Sequence, residues 1–172
     1  MLVSFWALPE NTSIANVMSS LGTNVTGVIG EGVAATQISP FTWSGSLASI
    51  SYTSGYWVIL DNESVLTLEG YLNENTVYDL DIGANLISYP FPDTMGVTES
   101  IPDIMEGYFT GIIGEGVAAT QNEPFTWSGS LSEFKGGNGY WVKVTSPFEF
   151  SFTNPDSVFI LSSDTPENNF RK

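Results

Sequence analysis

Residues 26–47 read TGVIGEGVAATQISPFTWSGSL, and residues 110–131 read TGIIGEGVAATQNEPFTWSGSL. The two stretches differ only at Val28/Ile112, Ile38/Asn122 and Ser39/Glu123, at a constant offset of 84 residues. A repeat of that length makes the chain one structural unit written twice. The register extends to Gly55-Tyr56-Trp57-Val58 against Gly139-Tyr140-Trp141-Val142, and back to Leu2-Val3-Ser4-Phe5 against Leu86-Ile87-Ser88-Tyr89. After a three-residue slip, NENTVYDL (73–80) matches NPDSVFIL (154–161). Two modules follow, 1–82 and 83–172, the second ending near residue 161 before a C-terminal tail.

Most of each module alternates apolar and polar residues with period two, the signature of a half-buried strand. One segment per module differs. In the first, Ser13 stands before IANVMSSL, whose Ile14, Val17, Met18 and Leu21 share a helical face that ends at Gly22. In the second, Pro102 permits only a shorter helix over IPDIM, because proline fits a first turn alone. The expected fold is therefore all-β with one short helix per repeat: two tandem β-barrel-like or sandwich-like lobes related by pseudo-two-fold symmetry.

Comparing the copies indicates which strand faces are inside. Tyr56, Val58 and Leu60 match Tyr140, Val142 and Val144, while Ile59 on the other face becomes Lys143. The Tyr/Val face is the core face, and the face carrying Trp57 and Trp141 is at least partly wet. By the same comparison Leu66 and Leu68, matched by Phe150 and Phe152, should point inward from a further strand. Phe41 and Trp43, like Phe125 and Trp127, are expected on one face of the strand before the Ser-Gly-Ser turn.

The composition excludes several functions. Nineteen acids face four bases, for a net charge of −15, and residues 1–134 carry no Lys or Arg. Phosphate backbones and anionic headgroups are held by such cations, so nucleic acid is not an expected partner and neither is a lipid surface. Cys and His are absent, which removes thiolate and imidazole chemistry and zinc sites of the usual kind. MLVSFWALPENTS has neither the charged start nor the apolar run of a signal peptide. No stretch approaches the roughly 20 apolar residues that span a bilayer, and membrane insertion is not expected.

The order N-L-[IV]-S, short helix, G-x-G, W-x-G-S-L, G-Y-W-V-x-V resembles a repeat unit of bacterial surface and secreted proteins. It is also similar to one of marine bacteriophage virion proteins. The matching residues are Asn85-Leu86-Ile87-Ser88, Trp127 to Leu131 and Gly139 to Val144, with Leu2-Val3-Ser4, Trp43 to Leu47 and Gly55 to Leu60 in the first copy. The resemblance implies a structural module, with no enzymatic activity, in an extracellular, cell-surface or virion protein. Its partners would be other domains of a longer parent protein or assembly. Met1 stands where the pattern has Gly-x-Asn, so the chain is expected to be a fragment of a longer array.

Carboxylate pairs are the one catalytic resource left, as in glycoside hydrolases. Glu31/Glu115, Asp61/Glu63, Asp79/Asp81 and Asp103/Glu106 are the nearest pairs, but acids in polar turns ordinarily solvate the surface. No catalytic residue is assigned, and a carboxylate-dependent hydrolase is the third reading. Asp79-x-Asp81 with Gly83 lacks the ligand spacing of a calcium loop, so no metal or cofactor is expected. Glycans are the alternative partner, through Trp57, Trp141, Tyr56, Tyr140, Trp43 and Trp127, because aromatic faces stack on sugar rings.

One asymmetry in the drift between copies needs a cause. Ile59 has become Lys143 and Thr53 has become Gly137, yet residues 29–37 and 40–47 are identical in both copies. If both copies of that segment met at the two-fold axis, each would have to complement the other. Val33, Ala34, Val117 and Ala118, or the adjacent Phe-Thr-Trp strands, are therefore the expected contact between the lobes.

Overall fold

A computed structural model describes residues 1–73 and 75–156. The first repeat contributes β1 (Leu2–Val3), β2 (Ala7–Leu8), α1 (Ile14–Val17), β3 (Val25–Ile29), β4 (Ala34–Ser39), β5 (Thr42–Gly45), β6 (Tyr56–Leu60) and β7 (Tyr71–Leu72). β8 (Tyr78–Leu80) and β9 (Gly83–Ser88) lead into the second. There follow β10 (Thr94–Gly96), α2 (Val97–Ser100), α3 (Asp103–Glu106), β11 (Phe109–Gly114), β12 (Val117–Glu123), β13 (Thr126–Gly129), β14 (Glu133–Lys135), β15 (Gly139–Val144) and β16 (Phe148–Phe150).

The chain is predominantly β. Two five-stranded antiparallel sheets dominate, ordered β1-β6-β3-β4-β5 and β9-β15-β11-β12-β13. Their registers correspond at offset 84: Val28 faces Val58 and Ala35, as Ile112 faces Val142 and Ala119. Even the irregularities match, with bulges at Val25/Gly27 and Phe109/Gly111 and again at Gln37/Ser39 and Gln121/Glu123. Each bulge adds local twist. Neither sheet closes, so the expected barrel does not form among the described residues. Each remains an open sheet with one face covered by the helical segment and short strands.

Burial alternates along β6 and β15 as the comparison of copies requires: Tyr56 and Val58, and Tyr140 and Val142, are buried, while Ile59 and Lys143 are exposed. Two cores result. The first gathers Phe5, Leu8, Ile14, Val17, Val28, Tyr56 and Val58, and the second Tyr89, Phe109, Ile112, Phe134, Tyr140 and Val142. Tyr78 and Leu80 of β8, which the repeat register allots to the first module, are buried in the second core. There β8 pairs with β16, and Tyr78 meets Phe150 and Phe152 at ring distances of 5.3 and 5.4 Å.

Three sequence expectations change. The helix after Ser13 is α over Ile14–Val17 and tightens to a 3-10 turn at Ser19–Leu21, stopping at Gly22 with φ 58°. Between Gly96 and Gly107 the second repeat carries two helices, α2 and α3, instead of one. Pro102, which lacks an N–H and disfavours helical geometry in Ile101, separates them. Segment 63–70 forms no strand, and Leu66 and Leu68 are only half-buried. The last matched segment beyond Asp156 and the C-terminal tail lie outside the described residues.

Candidate functional site

The outward faces of the two large sheets carry exposed apolar side chains. On the first, Trp57 sits opposite Ile29, which sits opposite Ala34, and Ile59 lies opposite Gly27. Trp57, Ile29 and Ile59 are all exposed. The second sheet repeats the row as Trp141, Ile113 and Ala118, with Lys143 opposite Gly111; Ile113 is exposed there and Trp141 half-buried. A glycine beside each tryptophan leaves the sheet without a side chain at that point. On the second sheet this opens a groove of about 520 Å³ lined by Trp141, Ile113, Gly111, Thr120, Gln121 and Lys143. That volume lies in the range of small-molecule sites, though it is an open trough and not a pocket.

The other aromatic candidates are placed elsewhere. Tyr56 and Tyr140 are 2 % exposed, and each hydroxyl accepts the backbone N–H of Ser51 or Lys135 at 2.8 Å. Burial raises the pKa of both phenols. They are core residues with a satisfied hydroxyl, so they drop out of the exposed platform. Trp43 and Trp127 are half-buried against their cores. Trp127 donates its Nε1–H to Glu106 Oε1 at 2.5 Å. In the first repeat Gly22 stands at the position of Glu106, so Trp43 has no such acceptor.

Phe41 and Phe125 do not share the inward face of their tryptophans. Each is the second residue of a two-residue turn after proline, with φ of 62° and 65°, and each is exposed. Positive φ is costly for a bulky side chain, and the turn keeps it in both copies.

Glu106 is a carboxyl with a displaced pKa. It is fully buried, its Oε2 has no partner, and burial raises its pKa, opposed by the Trp127 hydrogen bond and reinforced by Asp103 and Glu99. Glu31 and Glu115 are spent differently. Glu31 Oε2 accepts the Leu86 N–H at 2.7 Å, and Glu115 Oε2 accepts the Leu2 N–H at 2.9 Å. These are edge-strand donors that no neighbouring strand pairs. Among the described residues no three acidic side chains gather to hold a metal ion. No helix there is long and apolar enough to cross a membrane.

Those two glutamates belong to a seam between the repeats in which several contacts have a counterpart at offset 84. Ser4 N donates to Gly137 O at 2.8 Å, and Ser88 N donates to Thr53 O at 3.1 Å. Val3 bridges Asn138, and Ile87 bridges Ser54. A Cβ on Gly139 would lie 2.7 Å from Val3 O, and one on Gly55 would lie 2.9 Å from Ile87 O. Val33, Ala34, Val117 and Ala118 make none of these contacts. Val33 is half-buried against its own core, and the other three are exposed. The seam runs through the Glu of Gly-Glu-Gly, two or three residues earlier, because a carboxylate can reach an unpaired edge N–H and a methyl group cannot. The identity of that turn in both copies was the available sequence signal.

Comparison of this chain with protein-family models, curated proteins and solved structures finds no match.

Proposed function

We propose that this chain is a non-enzymatic structural and interaction module of an extracellular, cell-surface or virion protein. It comprises two lobes related by a pseudo-two-fold axis at the seam, each presenting its outer sheet face to other domains or subunits. The observation that carries this reading is the repeated row Trp57–Ile29–Ala34 and Trp141–Ile113–Ala118, apolar and outward in both copies. Trp57, Ile29 and Ile113 are exposed and Trp141 is half-buried, and aliphatic and aromatic side chains of this kind in adjacent strands are what a protein interface buries at its centre. Of the carboxylates paired in the sequence, three are engaged by hydrogen bonds, Glu31 and Glu115 with backbone N–H groups and Glu106 with Trp127. The resemblance to surface and virion repeat modules points the same way.

Carbohydrate binding is the second reading. The groove favours it, since Trp141 lies beside Thr120, Gln121 and Lys143, which could bond hydroxyls at the rim of a stacked ring. Affinity electrophoresis against soluble polysaccharides, with a reducing-end assay on the same mixtures, separates the readings. An interaction module migrates unretarded and releases no reducing ends. Retardation that disappears in Trp57→Ala/Trp141→Ala would install the glycan reading in its place, and released reducing ends would sink the non-enzymatic one. Antibody labelling of source cells or particles should mark an outer surface; label confined to the cell interior would contradict the location.

A further inference from the structure

The outer faces of the two sheets differ over one glycine. On the first sheet Ile59 lies over the backbone of Gly27: a Cβ built on Gly27 would stand 3.4 Å from Ile59 Cδ1. On the second sheet Lys143 takes the place of Ile59 and leaves Gly111 uncovered, where a Cβ would meet only Ala119 O at 3.5 Å. The same backbone is therefore filled in one copy and open in the other, where Lys143 lines the trough with Trp141. Among the described residues Lys143 Nζ makes no hydrogen bond or ion pair, whereas Lys135 is taken by Glu133 at 3.0 Å.

The hairpin tips differ in the same sense. β12 turns into β13 through Pro124-Phe125, with Glu123 paired with Thr126 across the tip. Of the three differences between the duplicated stretches, Val28/Ile112 is buried. The other two, Ile38/Asn122 and Ser39/Glu123, are the exposed residues just before this turn. The first module thus has an apolar tip, Ile38-Ser39-Pro40-Phe41, and an isoleucine on its sheet; the second has an acidic tip and a lysine on its sheet. Phe125 is 53 % exposed at φ 65°, a conformation that is costly for a bulky side chain and that glycine or asparagine adopts more easily. Solvation gives no reason to hold a phenyl ring there, whereas burial against a partner does.

We propose that the trough of the second sheet receives the Glu123-Pro124-Phe125 tip of a second copy of this chain, the Phe125 ring against Trp141 over Gly111 and the Glu123 carboxylate on Lys143. This rests on the reading of the outer faces as interaction surfaces and names the partner and the contact. Charge complementarity chooses the occupant. With nineteen acids and no base before Lys135, most of the surface repels an acidic partner. An unpaired lysine beside an open apolar floor is where an acidic tip is attracted instead. The spacing agrees: acid and ring stand two residues apart in the tip, and Trp141 and Lys143 stand two apart on one face of β15. Residues 123–125 do not line the trough of their own sheet, so the tip must come from another copy. Tip and trough are different patches, and the contact passes from copy to copy unless a two-fold closes it.

Sedimentation equilibrium of the full chain at pH 7 and moderate salt should show association that grows with concentration. Glu123→Lys and Lys143→Glu should each weaken it about tenfold or more, the scale of a charge pair across an interface. Mixing the two should restore it, because the intact tip of the Lys143→Glu protein meets the intact trough of the Glu123→Lys protein. Lys143→Ile, which gives the second sheet the filled face of the first, should also weaken it. Phe125→Ala should weaken it about tenfold, and Phe41→Ala should change it less than about twofold. A monomer at every concentration would overturn the proposal. So would a Glu123→Lys protein that associates as tightly as the parent, the result if net charge alone governs approach. A Lys143→Ile protein that associates more tightly, the result if any apolar patch suffices, would overturn it too, as would a mixture no tighter than its components. Each of these outcomes leaves the outer faces to a different protein partner. The interaction reading itself fails on other results, retardation by a polysaccharide or release of reducing ends.

Discussion

Glu31 and Glu115 show how one side chain can hold a turn fixed through a duplication. Each reaches out of a Gly-Glu-Gly turn to an N–H of the other repeat's edge strand. A strand edge leaves alternate N–H groups unpaired, and leaving one part-buried without an acceptor costs about 1–3 kcal/mol. Glu31→Ala and Glu115→Ala should therefore each lower stability by about 1 kcal/mol, discounted because both carboxylates are solvent-exposed. Glu31→Gln, which keeps an acceptor oxygen, should lose less. Urea denaturation checks this, and a Glu31→Ala midpoint equal to the parent's would refute the seam role. Glu106 gives the opposite sign. Its folded pKa is raised by burial, so the native state binds the extra proton and stability falls as pH rises from the unfolded value, about 4.3, through the folded one. Glu106→Gln keeps an oxygen for Trp127 and cannot ionise. It should be more stable than the parent at pH 7, with the margin shrinking toward pH 4. A Glu106→Gln protein that melts below the parent at pH 7 would contradict the assignment.

The strands themselves could be read from the sequence because comparing copies supplied the inside face. Ile59 becoming Lys143 marks a wet face, and the alternation of β6 and β15 follows from it. What escaped that reading depends on contacts distant in sequence. Phe41 follows the period-two pattern, but a two-residue turn imposes φ 62° and turns it outward. Leu66 and Leu68 have a strand's pattern and no strand, since a strand exists only with a partner and β8 serves the other core. The outward tryptophans were legible from their neighbours, whereas the buried hydroxyls of Tyr56 and Tyr140 were not, because their acceptor role is set by Ser51 in a loop and by Lys135 at the end of β14. Gly55 and Gly139, which open the Gly-Tyr-Trp-Val strands, were legible only as repeated glycines. Their function is close approach: Gly139→Ala would drive a methyl carbon to 2.7 Å from Val3 O, which backbone cannot easily relieve. Gly139→Ala and Gly55→Ala should each destabilise by about 1–3 kcal/mol, the usual cost of overpacking. An unchanged melting temperature for both would mean the seam is looser than its geometry.

At the scale of the whole molecule the charge is the dominant unbalanced term. Fifteen net negative charges on 172 residues repel one another, and the cations available to answer them are few. Among the described residues the ion pairs are Lys135 with Glu133 at 3.0 Å and the Met1 ammonium with Glu115 at 3.8 Å. Both are exposed, and such pairs contribute little. One repulsion is local: Asp79 sits directly opposite Glu149 across β8 and β16, and like charges in that position destabilise a sheet. Salt acts differently on the two. At 0.1 M the screening length is about 10 Å, so repulsion summed over the surface is largely removed, while the contact between directly opposed side chains is only partly screened. Stability at pH 7 should therefore rise between low and moderate salt. Glu149→Lys, which turns the local repulsion into attraction, should raise the melting temperature at low salt and keep part of its advantage at high salt. Its expected gain is about 0.2–1 kcal/mol, the scale of a cross-strand pair. A melting temperature that falls between low and moderate salt would show that the sparse ion pairs outweigh the repulsion. A Glu149→Lys gain that vanishes completely in moderate salt would show instead that this pair acts only through the general field, with no contact term between β8 and β16.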